Sequence, residues 1–289
     1  MNIKNKATPD FRLSVEFFPP RTNEGLNKLT NVARKLRGVK PKFYSCTYGA
    51  GGSTKAGTLD TISHLKEEGF AAAPHLSIGS DEKSDILSIL DQYQDKGINR
   101  IVALRGDLPS GIGRNRFTHN AETLINWIRD YTGDHFKIEV GAYPEVHPDA
   151  KSPKEDLRFF KQKVEAGADG AITQYFYNPH AYFDFVNRCH LANISLPIYP
   201  GIMPITNYEG IVKFSEACGA EIPRWIKKQL ESYREDERSL KKFGEEVVTT
   251  LCSDLIAGGA PGLHFYTLNR SAPTLAILGN LGLAETSVY

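Results

Sequence analysis

The chain has 289 residues, 40% of them hydrophobic, and its 35 basic and 34 acidic side chains leave a formal charge of +1. That length can bury one large core or two modest ones, and no Pro-, Gly- or Ser-rich linker divides it. The absence of a basic excess argues against nucleic-acid binding, and no stretch approaches the roughly 18 apolar residues of a membrane span, which leaves small-molecule chemistry as the default. The opening MNIKNKATPD lacks the apolar core of a secretory signal, so a soluble, cytoplasmic protein is expected. Cys46, Cys189, Cys218 and Cys252 lie far apart, without the spacing of a zinc site or a disulfide framework, and read as reduced, buried thiols.

The predicted strands are LSVEFF (13–18), FYSCTY (43–48), AAAPHLSI (71–78), RIVALRG (100–106), KIEVGAY (137–143), GAITQYF (170–176), LPIYPG (196–201) and LHFYTL (263–268). Most are about 25 to 35 residues apart, the length of a βα unit. Between the third and fourth, DEKSDILSILDQYQDKG sets Ile86, Ile89, Leu90 and Tyr93 on one helical face and stops at Gly97, with similar stops at Gly69 and Gly167. The stretch 202–262 is too long for one helix and predicts two or three, one of them around Val247, Val248, Leu251 and Leu255. No glycine fingerprint follows the first strand, so the expected α/β fold is a (β/α)8 TIM barrel with extra helices between strands 7 and 8, forming one domain over 1–289.

Barrel enzymes build their sites at the carboxyl ends of the strands. Here Glu16, Thr47, His75, Asp107, Tyr143 with His147, Gln174 and Arg270 stand at or just past the ends of seven different predicted strands. Singly, each has a structural explanation, such as a carboxylate capping the next helix or a histidine satisfying a buried hydrogen bond. Together they crowd charged groups on one rim, which is costly unless they pair or bind a ligand. Arg105, Gly106 and Asp107 also spell an adhesion tripeptide, but nothing else points to an extracellular protein. The loop YGAGGST (48–54) does not have P-loop spacing, and Lys163 reads by default as a surface partner of Glu155 or Asp156.

The strings SVEFFPPRT, KPKFYSCTYGAGGST, AAAPHL, IVALRGD, GAYPEVHPDAKS, DGAITQYFY, YPGIMPITN and HFYTLNR, in this order and spacing, resemble the methylenetetrahydrofolate reductase family over nearly the whole chain. The resemblance is to its short bacterial form, without the regulatory domain that follows the barrel in eukaryotic members. It implies that FAD lies along the carboxyl face and that NADH or NADPH reduces it. The reduced flavin then converts 5,10-methylenetetrahydrofolate to 5-methyltetrahydrofolate by ping-pong hydride transfer, supplying methyl groups for methionine synthesis. It implies FAD contacts from Thr47, Tyr48, Ala50, His75, Arg105, Gly106, Asp107, Tyr143, His147, Ala150, Asp156 and Lys163. His119 and Asn120 join them in a helix start, HNAETLI, that departs from the family pattern, as do Phe159, Gln162 and Gly210. Folate would meet Asp107, Gln174 and Arg270, while Phe214 and Tyr266 offer aromatic surface to pterin or nicotinamide. No metal is implied, the partners are these small molecules, and homo-oligomer formation is left open.

Opening the five-membered ring of methylenetetrahydrofolate needs a proton on one bridging nitrogen and leaves an iminium at the other. Glu16, ending an apolar strand beside Phe17 and Phe18, is the expected acid, with its pKa raised by desolvation. Asp107 is expected to stay ionised, stabilise the cation and lower the flavin potential, with Arg105 toward the FAD phosphates. The competing readings are a metal-free barrel lyase or isomerase acting on a phosphorylated substrate, and a folate- or flavin-binding protein without turnover.

Overall fold

The computed structural model describes residues 11–48, 55–79, 81–106 and 119–284. Its strands are β1 (Arg12–Phe17), β2 (Tyr44–Cys46), β3 (Ala72–Ser77), β4 (Arg100–Leu104), β5 (Lys137–Ala142), β6 (Gly170–Thr173), β7 (Ile198–Tyr199), β8 (Gly201–Ile202) and β9 (Gly262–Tyr266). They form one parallel sheet in the order β7-β6-β5-β4-β3-β2-β1-β9-β8. β7 and β8 are the two halves of the seventh predicted strand, split at Pro200. The first half pairs with β6 and the second with β9, which brings the sheet round into a TIM barrel.

The split was not anticipated from LPIYPG, and its cause is chemical: proline has no N–H to continue a ladder. The barrel is joined across it by other groups. The Pro200 carbonyl accepts from His264 N at 3.0 Å, and Gly201 N donates to Thr173 Oγ1 at 2.9 Å. A side chain at Gly201 would not fit, since its Cβ would fall 2.6 Å from Tyr266 Cε2.

Helices α1 (Asn23–Leu36), α2 (Lys55–Glu67), α3 (Lys83–Asp95), α4 (Ala121–Thr132), α5 (Pro153–Glu165) and α6 (Pro179–Leu191) alternate with the strands. The long stretch before β9 holds three more, α7 (Tyr208–Cys218), α8 (Arg224–Ser232) and α9 (Glu237–Ala257), and α10 (Ala272–Asn280) follows β9. Capping side chains set several starts: Thr22, Asn120, Ser152, Asn178, Asn207 and Asp236 each accept a backbone N–H of the first turn. The predicted stops at Gly69, Gly97 and Gly167 all have positive φ, at 79°, 64° and 111°.

The main core lies between the sheet and its helices. Ile86, Leu90 and Tyr93 of α3 and Val247, Val248, Leu251 and Leu255 of α9 are buried there as expected, and Ile89 packs against it partly buried. Inside the barrel a separate small cluster of Phe43, Ala73, Val102 and Ile172 fills the lumen. At the amino end, the Arg12 guanidinium grips the buried Glu139 carboxylate through two bonds of 2.7 and 3.1 Å, and Arg100 pairs with the same carboxylate. The Arg12 guanidinium also stacks 3.2 Å from the Tyr199 ring centroid. Ion pair and rings plug that end, so side chains on the carboxyl side remain available to a ligand.

The cysteines form no bridges; Cys46, Cys189 and Cys252 are buried as expected, whereas Cys218 is only half-buried. Among the described residues, no helix is long and apolar enough to cross a membrane.

Candidate active site

Side chains of a strand alternate between faces, so Ser14 and Glu16 of β1 share one face, as do His264 and Tyr266 of β9. The barrel brings them together. Glu16 Oε2 lies 3.2 Å from His75 Nε2 of β3 and 3.4 Å from His264 Nε2, and the other ring nitrogen of His264 hydrogen-bonds Ser14 Oγ at 2.8 Å. The backbone around Glu16 is fixed as well, since Thr267 Oγ1 donates to its carbonyl at 2.6 Å.

This geometry corrects the expected ionisation of Glu16. Burial pushes the carboxyl upward, but the nearby His75 charge and the hydrogen bond from His264 together outweigh it, and the pKa falls from 4.5 to about 2. Sequence reasoning saw the apolar neighbours Phe17 and Phe18 and missed the two imidazoles brought in from distant strands. His264 is itself held below its ordinary value by burial, against the pull of Glu16. Its ring is therefore neutral near pH 7, and the tautomer that donates from Nε2 to Glu16 leaves Nδ1 to accept from Ser14.

A second group gathers at the ends of β4 and β5. Arg105 Nη2 pairs with Asp149 Oδ2 at 2.7 Å. The His147 ring sits edge-on to Tyr143, with centroids 4.4 Å apart, and its Nδ1 accepts from Asp149 N at 3.0 Å. His147 N in turn donates to Asp156 Oδ2 at 3.2 Å, and Ala150 N to the His147 carbonyl at 2.9 Å. Lys163 does not make the surface pair its helical position suggested. Its Nζ reaches inward to the Gly141 carbonyl at 2.5 Å, while Glu155 pairs with Arg158. Burial lowers the Lys163 pKa to about 8, with Asp156 opposing and Arg105 reinforcing the shift. Burial likewise raises that of Asp156 and lowers that of His147.

The expected substrate residues occupy the remaining arc. Gln174 follows β6 half-buried, its Oε1 accepting from Tyr175 N at 3.0 Å. Phe214 on α7 is 47% exposed. Tyr266 donates its hydroxyl to the Thr173 carbonyl at 2.7 Å, so its ring forms a fixed wall of the lumen. Leu268 and Asn269 both have positive φ, and the Asn269 side chain clamps Phe18 through bonds of 3.0 and 2.9 Å, leaving Arg270 exposed at the rim. His119 and Asn120 have local roles: Asn120 caps α4, and His119 packs edge-on against Trp127. Asp107 and Ala50 lie outside the described residues.

Among the described residues, the buried polar atoms without a hydrogen-bond partner include Thr47 Oγ1 and His75 Nε2 on the carboxyl side, besides Arg12 Nε and Thr274 Oγ1 elsewhere. The His75 nitrogen is within ion-pair reach of Glu16, but at an angle that makes no hydrogen bond. Each such atom costs about 1–3 kcal/mol if left unsatisfied. Thr47 and His75 belong to the residues that the family pattern assigns to FAD, and a polar ring edge would satisfy them.

The family model described as methylenetetrahydrofolate reductase matches residues 2–282. The chain belongs to the methylenetetrahydrofolate reductase family. It is 39% identical over 273 residues to 5,10-methylenetetrahydrofolate reductase of Escherichia coli (strain K12), a match covering 94% of this chain and 90% of that one. Against the enzyme of that name from Salmonella typhimurium it is 40% identical over 272 residues, with the same coverage. The rice protein named probable methylenetetrahydrofolate reductase (NADH) is 38% identical over 290 residues, spanning 95% of this chain and 48% of that protein. Among solved structures, an uncharacterized Clostridium thermocellum protein that binds two copies of 5-methyl-5,6,7,8-tetrahydrofolic acid superposes with a TM-score of 0.65 at 17% identity, covering 96% of this chain and 95% of that one. At that identity the likeness supports the barrel fold of this reductase family member and nothing finer.

Of the residues that bear on the rim chemistry, Ser14, His264 and Asp149 were not singled out from sequence. The period-2 alternation of β1 and β9 places the first two on the faces of Glu16 and Tyr266 and could have found them.

Proposed function

We propose that the protein reduces 5,10-methylenetetrahydrofolate to 5-methyltetrahydrofolate as one FAD-binding catalytic domain, with NADH or NADPH as electron donor, in the cytoplasm. Family membership supports the reaction, and the observation that carries the cofactor reading is a pair of buried atoms without a hydrogen-bond partner, Thr47 Oγ1 and His75 Nε2, the latter 3.2 Å from the Glu16 carboxylate. Bound FAD supplies a hydride carrier that one substrate reduces and the other oxidises in turn, a ping-pong order.

The chain's own residues divide the remaining work. Thr47, Tyr48, His75, Arg105, Gly106, Tyr143, His147, Ala150, Asp156 and Lys163, with Ala50, Asp107, His119 and Asn120, hold the cofactor, and the cationic Arg105 and Lys163 suit its phosphates. Gln174, Arg270 and Asp107 orient folate, and Phe214 and Tyr266 present aromatic surface to either substrate. Glu16 donates the proton that opens the ring. His75 holds its carboxyl down in the ligand-free protein. A ligand that took up the His75 nitrogen would weaken an interaction that lowers the Glu16 pKa and leave more of the upward push of burial. Asp107 remains ionised and stabilises the iminium.

The protein should purify yellow with one FAD per chain, be bleached anaerobically by reduced nicotinamide and regain colour with methylenetetrahydrofolate. A colourless protein that cannot be reconstituted with FAD overturns the reading.

A further inference from the structure

The loop after β5 and the helix α7 belong to different βα units, yet they are locked together. Glu145 Oε2 accepts a hydrogen bond from Glu221 N, just past the end of α7, at 2.7 Å. Gly219, which ends α7 at φ 74°, lies so close to the loop that a Cβ there would sit 2.8 Å from Pro148 Cγ. Between these two contacts Val146 holds φ 73°, a left-handed conformation that a β-branched residue adopts only where surrounding contacts enforce it. From beneath, Tyr175 OH meets Ser215 Oγ of α7 at 3.0 Å. Tyr143, Val146, Tyr175, Cys218 and Ala220 line the small pocket at this junction.

The two sides of the lock carry different halves of the proposed site. The loop presents Tyr143 and His147, which hold the cofactor in our reading, and α7 presents the exposed Phe214. We infer that Glu145 is a positioning residue: it fixes α7 against the cofactor-holding loop and so sets the place of Phe214 for both substrates. The inference rests on the proposed role of Phe214. Glu145 touches neither reacting atoms nor Phe214 and acts through the backbone of the α7 end. Since one acceptor oxygen does the work, an amide can replace the carboxylate and an alanine cannot.

The test pairs hydrogen–deuterium exchange of residues 208–221 in the ligand-free protein with steady-state kinetics of the FAD-loaded enzyme, for wild type, Glu145→Gln and Glu145→Ala. Glu145→Ala should speed exchange in that segment and raise KM for folate and nicotinamide together by about tenfold, the loss of one hydrogen bond. Its kcat and FAD affinity should stay within about twofold, because uniform binding alone is lost. Glu145→Gln should restore both readouts. Unchanged exchange and KM in Glu145→Ala, or an equal defect in both variants, overturns the inference. If Glu145→Ala does not fold, Glu145→Asp, one methylene too short to reach Glu221, gives the same comparison with the same outcomes. A wild-type protein without turnover would refute the functional reading instead, and exchange would still decide whether Glu145 holds α7.

Discussion

The Glu16 carboxylate lies 3.2 Å from the His75 imidazole, two strands away in the barrel, and this contact, with that of His264, outweighs the upward push of burial on its pKa. The folded pKa of about 2 is below the ordinary 4.5, so the stabilisation is fully present above about pH 4.5 and is lost as pH falls toward 2. Relative to Glu16→Gln, wild type should be more stable by up to about 3 kcal/mol at neutral pH, with the gap closing across that window. Urea denaturation at fixed pH values measures it; a gap independent of pH would mean that the carboxylate is not held by its histidines.

Lys163 runs the opposite way. Burial lowers its pKa from 10.5 to about 8, so its cost to the fold is full below about pH 8 and vanishes as pH rises toward 10.5. Lys163→Met should stabilise the ligand-free protein at pH 7 by about 1–2 kcal/mol, discounted for its partial exposure. The same change should weaken FAD binding. Thermal melts and FAD titrations of one preparation test both, and a variant no more stable than the parent contradicts the argument.

The plug at the amino end gives a control on the other side of the barrel. Glu139→Gln leaves the guanidiniums of Arg12 and Arg100 without their shared carboxylate and should destabilise the protein by about 3–5 kcal/mol. FAD affinity of the folded fraction should not change. A loss of affinity without loss of stability would place the plug within the binding machinery.

Asp107→Asn tests a residue whose role rests on the family pattern. Removing its charge should raise the flavin potential and slow the folate half-reaction more than the nicotinamide one. Redox titration and stopped-flow absorbance decide it, and an unchanged potential removes the electrostatic argument.

Which parts of this molecule could be read from its sequence follows from how local each signal is. Strand and helix alternation is local, so the barrel, the glycine stops and the presence of two or three helices between the last two staves were legible, and three are found. The predicted strands overran at Thr47, Tyr143 and Gln174, where the regular strands have ended although Thr47 N and Gln174 N still donate to the Phe17 and Ala142 carbonyls of the neighbouring strands. Glu16 was recognisable by position, but its ionisation was not, since His75 and His264 are remote in the chain and meet it only through the closed sheet. The inward reach of Lys163 was hidden for a similar reason: helical spacing offers Glu155 and Asp156 as partners, and only the packing of α5 on β5 turns the side chain to Gly141.

The central claim is that Glu16 supplies the proton for the folate half-reaction and nothing to the nicotinamide half-reaction, and Glu16→Gln separates the two most directly. In anaerobic stopped-flow absorbance the variant should bind FAD and be reduced by NADH or NADPH at a near-parental rate. Its reoxidation by methylenetetrahydrofolate should be slower by about 10²- to 10⁴-fold, the typical worth of general acid catalysis. Reoxidation as fast as in the parent would contradict the account and remove Glu16 as the acid.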